Sequence, residues 1–295
     1  MRNWLVHALV TMLLWGVWGA FAGLPGEHGL PETLNYCVWA LTMIPPAIIV
    51  MKMSGEALKR DARSVWLGLA IGVLGAGGQL LLFHAVRIGP AYLIFPIISL
   101  SPALTIALSF GLLGERTGRL GLLGIALALL SLPLFDYRSD GEATGYGLWF
   151  LLALGILVAW GAQAYFIKLA NATMDAASIF FYMTLSGLLF IPVALAMTDF
   201  SQPINTQVDG WGLAAVIQLL NAVGALTLVF AFRYGKAIIV SPLVNAGAPL
   251  LTACISLGLA GMVPGPFKLA GIALALGAAL LLALQPEEAG GGQKT

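Results

Sequence analysis

Charge and cysteine are both scarce in this chain. Only 9% of its 295 residues are charged and 60% are hydrophobic, whereas a soluble domain is roughly 25% charged. A soluble fold is therefore excluded, because most of the surface must face lipid. The formal net charge is +1 and there is no basic run, so nucleic acid is not an expected partner. Cys37 and Cys254 fall within apolar stretches, which favours free thiols over a disulfide.

Catalytic and metal-binding patterns are also lacking. The sequence has no acid pair inside an apolar stretch, no Ser–His–Asp set and no cluster with metal-ligand spacing. We therefore expect no enzymatic activity, no cofactor and no bound metal. A membrane enzyme acting on lipid-linked substrates and a passive channel are the alternatives from other functional classes. The lack of embedded acids disfavours the enzyme, and the small number of polar residues per stretch disfavours the channel.

Long apolar runs fill the sequence instead. A bilayer core of about 30 Å requires about 20 apolar residues per helix, and ten such segments fit with only short loops between them. We number them as spans 1 to 10, at 3–22, 33–53, 65–86, 91–113, 119–136, 145–167, 176–197, 210–232, 237–261 and 267–284. The sequence thus predicts an all-α integral membrane protein with ten transmembrane helices.

Lysine and arginine in the short loops predict the orientation. With a cytoplasmic N-terminus, the inner loops hold most of the basic residues, and the outer side holds only Arg87, Arg138 and Lys268. Because the number of spans is even, both termini are then cytoplasmic. The expected location is the plasma membrane, which would be the inner membrane of a bacterium.

The two halves of the chain repeat each other. The hexapeptide GIALAL occurs at 124–129 and again at 271–276. Other matches at nearly the same spacing are Trp15-Gly16 with Trp160-Gly161, Pro45 with Pro192, Arg87-Ile88-Gly89 with Arg233-Tyr234-Gly235, and Pro96 with Pro242. We therefore predict two five-helix repeats, 1–140 and 141–295. Because five is odd, the repeats are inverted relative to each other, as in many secondary transporters.

Two spans carry a pair of prolines inside an apolar run. These are Pro96 and Pro102 in span 4, and Pro242 and Pro249 in span 9. Proline has no N–H and displaces the carbonyl four residues earlier, so we expect broken helices with unpaired carbonyls. In lipid such carbonyls need partners from protein or a water-lined cavity. Interrupted spans at matching positions of two repeats point to a transporter's binding site.

Several segments carry a family resemblance. LLWGVWGAF (13–21), RIGPAYLIFPI (87–97) and the Leu113-Gly114-Glu115 end of span 4 resemble the drug/metabolite transporter superfamily, as a tandem pair of EamA-type units. The resemblance implies a ten-helix transporter. It leaves the substrate open, because that superfamily carries amino acids, sugars, nucleotide sugars and drugs. The second repeat has Gly261 in place of Glu115, and we expect Glu115 to fix its loop through Arg116 or Arg119.

Polar side chains at the middle of a span are costly in lipid and are therefore functional candidates. In span 3, Gly72, Gly75 and Gln79 share one helix face, which corresponds to residues 218, 221 and 225 of span 8. We predict one central cavity between spans 1, 3, 4, 6, 8 and 9. The alternative is that each amide only bonds a neighbouring helix. The predicted substrate-binding residues are Trp18, Gln79, Ser99, Gln163, Gln218, Asn221 and Asn245.

His84 is the one titratable side chain well inside a span. Because histidine changes charge near neutral pH, His84 is a candidate gate or proton site. A hydrogen-bonded packing histidine is the alternative. Spans 5 and 10 lack polar side chains at mid-depth and carry several glycines, which favours a scaffold role or a homodimer contact.

Together these features predict a secondary transporter working by alternating access. The expected substrate is a small neutral or zwitterionic polar metabolite, with amino-acid export as the first choice because of the family resemblance. A sugar or nucleoside carrier and a multidrug exporter of the same fold are the alternatives. The expected partners are the small-molecule substrate and membrane lipid. No carboxylate falls at mid-span, so we expect transport without proton coupling.

Overall fold

The computed structural model describes residues 4–89, 94, 97–135, 147–261 and 265–284, and their regular secondary structure is helical throughout. A short helix, Leu24–Glu27, follows span 1, and a π-helical turn, Val208–Gly212, precedes span 8. The spans are Trp4–Phe21 (1), Glu32–Thr42 with Ile44–Ser54 (2), Ala62–Ile88 (3), Ser101–Leu112 (4), Arg119–Phe135 (5), Leu148–Ala170 (6), Ala176–Leu189 with Ile191–Ala196 (7), Leu213–Tyr234 (8), Ala237–Ala260 (9) and Pro266–Ala283 (10).

The length and composition of these helices suit a bilayer. Among the described residues, seven helical units are long and apolar enough to cross a membrane, and spans 4, 5 and 10 are shorter apolar helices. Large apolar side chains such as Leu122, Leu130 and Leu276 are exposed on the outside of the bundle. The protein is therefore an all-α integral membrane protein with ten spans, as the sequence predicts.

Local sequence signals explain several helix boundaries. The carboxylates of Asp61 and Asp175 accept hydrogen bonds from the N–H groups of Ser64 and Ser178, at 3.1 and 2.8 Å, and so cap the starts of spans 3 and 7. The hydrogen bonds from Ser64 hold the pKa of the Asp61 carboxyl below its usual range. Gly261 ends span 9 at a φ of 61°, in the left-handed region that favours glycine.

Spans 2 and 7 are interrupted at matching positions. In each span, a single residue separates a first helix from a second one. The second helix has proline near its start, Pro45 in span 2 and Pro192 in span 7. Proline is tolerated there because the N–H it lacks would have no partner inside the helix. The repeat partners identified in the sequence therefore occupy equivalent places in the structure.

The proline-bearing spans differ from the prediction of two broken helices. Span 9 is one continuous helix from Ala237 to Ala260 that contains both Pro242 and Pro249, so the prediction of a break there was wrong. Neighbouring helices can stabilise a helix through proline in a membrane. Span 4 does have a turn at Leu100, and Pro102 lies in the first turn of the helix that follows. Pro96 lies outside the described residues.

Two pairs of hydrogen bonds relate the halves of the chain. Trp15 donates its indole N–H to the Asn221 carbonyl at 3.2 Å, and Trp160 donates to the Gly75 carbonyl at 3.4 Å. Thr252 donates its hydroxyl to the Gly16 carbonyl at 2.9 Å, and Thr105 donates to the Gly161 carbonyl at 3.0 Å. In each pair, the donors and the acceptors lie at the repeat spacing read from the sequence. The two repeats therefore use the same helix contacts.

The spans pack as two groups that mix the repeats. Spans 1, 2, 8 and 9 form the first group, because span 1 packs along spans 8 and 9, and span 8 packs on span 2. Spans 3, 4, 6 and 7 form the second group through the equivalent contacts. Spans 5 and 10 pack on each other, with Gly124 against Leu282. Each group therefore contains two spans from either half of the chain.

The bundle has two distinct ends. We name the end that holds Lys59, Arg116, Lys168, Arg233 and Lys236 the basic end. The start of span 1 lies here too, because Trp4 lies beside Gly235. The opposite end holds the loops near Gly23, Asn205 and Gly261, with Asn205 linking two loops through its hydrogen bonds to the His28 carbonyl and the Asp209 carboxylate.

Candidate functional site

The predicted residues of spans 1 and 8 form a chain of hydrogen bonds that includes span 2. Trp18 donates its indole N–H to Gln218 Oε1 at 3.1 Å, and Gln218 Nε2 donates to Asn35 Oδ1 at 3.0 Å. Gln218 is only 5% exposed. Both polar atoms of its amide are thus used within the first group, which matches the pattern expected of an amide that joins helices.

Asn221 lies one turn further along span 8 and is also engaged. Its Oδ1 accepts the indole N–H of Trp39 at 2.9 Å, while its backbone carbonyl accepts that of Trp15. Asn35 and Trp39, both on span 2, were absent from the predicted site. Their partners lie on other helices at unrelated sequence distances, so the repeat spacing gave no signal for them.

Gln163 lies directly against span 3. A Cβ added at Gly75 would overlap the Gln163 amide, so the absence of a side chain at Gly75 makes room for it. Gln79 is one helical turn further along the same face of span 3. The structure therefore brings Gln163 next to the span 3 face that carries Gln79.

These two glutamines differ from Gln218 in their hydrogen bonding. Both are half-buried, and among the contacts of the described residues neither side-chain amide has a protein hydrogen-bond partner. An amide offers two donors and an acceptor, and leaving them unpaired in a low-dielectric interior is costly. Gln79 and Gln163 thus have free capacity for water or a ligand.

Span 9 adds acceptors near its centre. Asn245 is half-buried, and its Nδ2 donates to the Ser241 carbonyl of its own helix at 2.9 Å. Pro249 lacks an N–H, so the Asn245 backbone carbonyl has no donor four residues later. For the same reason, Pro102 provides no N–H donor for the Ile98 carbonyl in span 4. Ser99, the repeat partner of Asn245, is half-buried in the helical segment before Leu100.

Titratable side chains lie near the ends of the described spans. His84 is half-buried close to the end of span 3, and His7 stacks on Phe230 at a ring-centroid distance of 5.3 Å. Among the described residues, no group of three or more His, Cys, Asp or Glu could hold a metal ion. The central part of the described bundle therefore offers amides, hydroxyls and carbonyls as its polar groups.

Glu115 has different partners from those expected. Its carboxylate accepts the N–H of Ile238 at 3.0 Å and lies 3.8 Å from Lys168 Nζ, rather than pairing with Arg116 or Arg119. Arg116 instead covers the Phe110 ring at 3.8 Å and donates to backbone carbonyls. In the sequence, Glu115 lies at the end of span 4 and Lys168 at the end of span 6. Their contact is therefore visible only once the packing of these spans is known.

Comparison with known proteins agrees with the ten-span fold. A solved crystal structure of a protein superposes with a TM-score of 0.78 over 95% of this chain and 96% of that chain, at 17% sequence identity. At this identity, the likeness concerns the fold alone.

Two kinds of curated relative share sequence with the chain. It is 28% identical over 197 residues to the pseudopaline exporter CntI of Pseudomonas aeruginosa, a match that covers 65% of this chain and just under two thirds, 66%, of the exporter. It is 25% identical over 132 residues to an uncharacterized protein of Methanocaldococcus jannaschii, covering 45% of this chain and 95% of that protein. The second relative thus corresponds in length to about one repeat.

The family comparison covers almost the whole chain. The model of the EamA-like transporter family matches residues 2–135 and, a second time, residues 147–284. Each match contains five of the spans described above. The chain therefore belongs to the EamA-like transporter family.

Proposed function

We propose that the chain exports a small neutral or zwitterionic polar metabolite, with amino acids and similar compounds as the first choice. The observation that carries the proposal is the pair Gln79 and Gln163, whose amides are half-buried at the contact of spans 3 and 6 and have no hydrogen-bond partner among the described residues. The N–H groups of these amides can donate hydrogen bonds to a carboxylate of the substrate. The acceptors of Asn245 and the carbonyls freed by proline suit an ammonium group.

The charge distribution supports an overall neutral substrate. Within the described spans, acidic and basic side chains lie at or near the helix ends rather than at the centre. A substrate with net charge would lack a counter-charge there, and burying an unpaired charge is strongly unfavourable. A zwitterion carries both charges itself, so it needs only hydrogen-bonding groups from the protein.

The direction and orientation rest on two further observations. The basic end carries most of the lysine and arginine of the loops, which favours its placement on the cytoplasmic side, together with the start of span 1. The relative from Pseudomonas aeruginosa is an exporter by name. We therefore propose a plasma-membrane protein, in the inner membrane if the cell is bacterial, with cytoplasmic termini and outward transport.

An efflux experiment tests the substrate class. Proteoliposomes loaded with the twenty amino acids, glucose and uridine should lose one or more amino acids in a saturable manner, as measured by mass spectrometry. This loss should occur without a pH gradient and persist in His84→Ala. Selective loss of glucose or uridine would favour a sugar or nucleoside carrier, and retention of all compounds relative to protein-free vesicles would contradict the proposal.

A further inference from the structure

At the basic end, the two groups of spans meet through contacts on one short segment, residues 232–238, which joins spans 8 and 9. We name it the 232–238 turn. Lys168 of span 6 donates to the carbonyls of Phe232, at 3.0 Å, and Gly235. Glu115, just after span 4, accepts the N–H of Ile238 at 3.0 Å. Both side chains belong to the second group of spans and hold a segment of the first group.

Each charge suits the helix end that it contacts. The last carbonyls of span 8 form the negative end of its helix dipole, and they accept from the Lys168 ammonium. The first N–H groups of span 9 form the positive end of its dipole, and they donate to the Glu115 carboxylate. The ion pair between the two side chains, at 3.8 Å, adds a third contact.

Burial makes these contacts costly to lose singly. The Glu115 and Lys168 side chains are only 10% and 23% exposed. Removing one partner of a buried ion pair leaves the other charge without compensation, which is strongly destabilising for the closed arrangement. The pair therefore favours the arrangement in which the two groups touch at this end.

Three more hydrogen bonds cross between the groups at the same end. Asn171 Nδ2 donates to the Val229 carbonyl at 3.1 Å. In the reverse direction, Arg233 Nη1 donates to the Met174 carbonyl at 2.7 Å, and Lys236 Nζ donates to the Arg116 carbonyl at 2.8 Å. All of them lie around the 232–238 turn.

At the opposite end, the two positions equivalent to the charged pair carry no charge. The repeat spacing places Gly261 where Glu115 stands and Gly23 where Lys168 stands, and a Cβ added at either glycine would meet no atom within 4 Å. Among the described residues, polar links near that end include uncharged pairs: the hydroxyl pair Thr33–Thr198, at 2.6 Å, joins spans 2 and 7, and Asn205, in the segment after span 7, donates to the His28 carbonyl at 2.8 Å. Within the part of the chain that the structure describes, a buried charged pair that bridges the two groups is thus found at the basic end.

We propose that Glu115 and Lys168 are positioning residues of the transport cycle, which close the basic end by holding the 232–238 turn and must release it before the path opens there. This inference rests on the proposed alternating-access transport. It predicts that the protein at rest is open towards the end that carries Gly23 and Gly261.

Side-specific cysteine labelling tests the resting state. In a Cys37→Ala/Cys254→Ala background, Asn245→Cys supplies a single reporter in the middle of span 9. A membrane-impermeant maleimide should label it from the Gly261 side and at least about tenfold more slowly from the basic side. Equal rates from both sides would overturn the proposal. This readout needs no substrate, so it stands or falls separately from the efflux experiment.

Substitutions of the closing pair test the cause. Glu115→Gln and Lys168→Met should each raise labelling from the basic side by about tenfold or more, since a lost charged hydrogen bond shifts a two-state equilibrium on that scale. Arg119→Gln removes a charge from an exposed position four residues after Glu115 and should leave the rate unchanged, and Lys168→Arg should retain most of the closure. Unchanged rates in both Glu115→Gln and Lys168→Met would overturn the proposal.

A charge exchange separates this arrangement from a simple ion pair. Glu115→Lys combined with Lys168→Glu restores opposite charges, but it places an anion at the carbonyls of span 8 and a cation at the N–H groups of span 9. The double variant should therefore label from the basic side as fast as the single variants. If the exchange restored slow labelling, the helix-end contacts would not be the basis of closure and the proposal would fail.

Discussion

Leucine in place of Gln79 or Gln163 should weaken transport by roughly 5- to 150-fold in apparent affinity, which corresponds to about 1–3 kcal/mol for a lost hydrogen bond in the interior. The thermal stability of the purified protein should change little, because neither amide has a protein partner among the described residues. The measurement is the concentration dependence of efflux, together with the melting temperature in the same detergent.

Gln218→Leu is the matched control, because it makes the same chemical change in span 8. Gln218 is buried, accepts from Trp18 and donates to Asn35. Its loss leaves two partners unpaired, so the melting temperature should fall while the folded fraction retains near-normal apparent affinity. Wild-type affinity in both Gln79→Leu and Gln163→Leu would show that these amides do not bind substrate.

Alanine at Gly161 should lower the melting temperature markedly, although alanine normally favours a helix over glycine. The new Cβ would lie 2.7 Å from the Ser101 carbonyl oxygen and 2.8 Å from Leu104 Cβ. Backbone cannot move aside cheaply, so spans 4 and 6 must separate, at a cost of about 1–3 kcal/mol typical of overpacking. The hydrogen bond from Thr105 to the Gly161 carbonyl, now 3.0 Å, would lengthen.

Gly155 provides the control within the same helix. A Cβ added there would meet no atom within 4 Å. Gly155→Ala should therefore keep or raise the melting temperature, because alanine favours a helix over glycine by up to about 1 kcal/mol of free energy. The difference between the two alanine variants isolates the close approach of spans 4 and 6. Equal melting temperatures would contradict the packing described for Gly161.

The repeat spacing was the most informative feature of the sequence. Trp15-Gly16 and Trp160-Gly161 were paired by sequence alone, and in the structure both tryptophans donate to the equivalent carbonyls of the other repeat. Thr105 and Thr252 obey nearly the same spacing and were missed, because threonines on apolar spans give no signal until their acceptors are known. The spacing thus reveals which positions are equivalent, but not what they contact.

Other contacts were beyond sequence reasoning for physical reasons. Gln79 and Gln218 have the same chemistry. The packing of span 2 brings Asn35 to Gln218, whereas the Gln79 amide has no such partner among the residues that the structure describes. Span 9 remains helical through Pro249 because tertiary packing can outweigh the local cost of proline. Likewise, the contact between Glu115 and Lys168 depends on how spans 4 and 6 meet spans 8 and 9.

Counterflow tests the central claim, a carrier with one amide-lined site, most directly. Proteoliposomes are loaded with an excess of an unlabelled amino acid shown to leave in the efflux experiment, and the same labelled compound is added outside at trace concentration. A carrier should accumulate the labelled compound inside, transiently above its outside concentration, because the exiting unlabelled substrate returns the binding site to the outside. Gln79→Leu should abolish this overshoot when the label is present at trace concentration. Simple equilibration of label without overshoot, at the same rate in wild type and Gln79→Leu, would contradict the account.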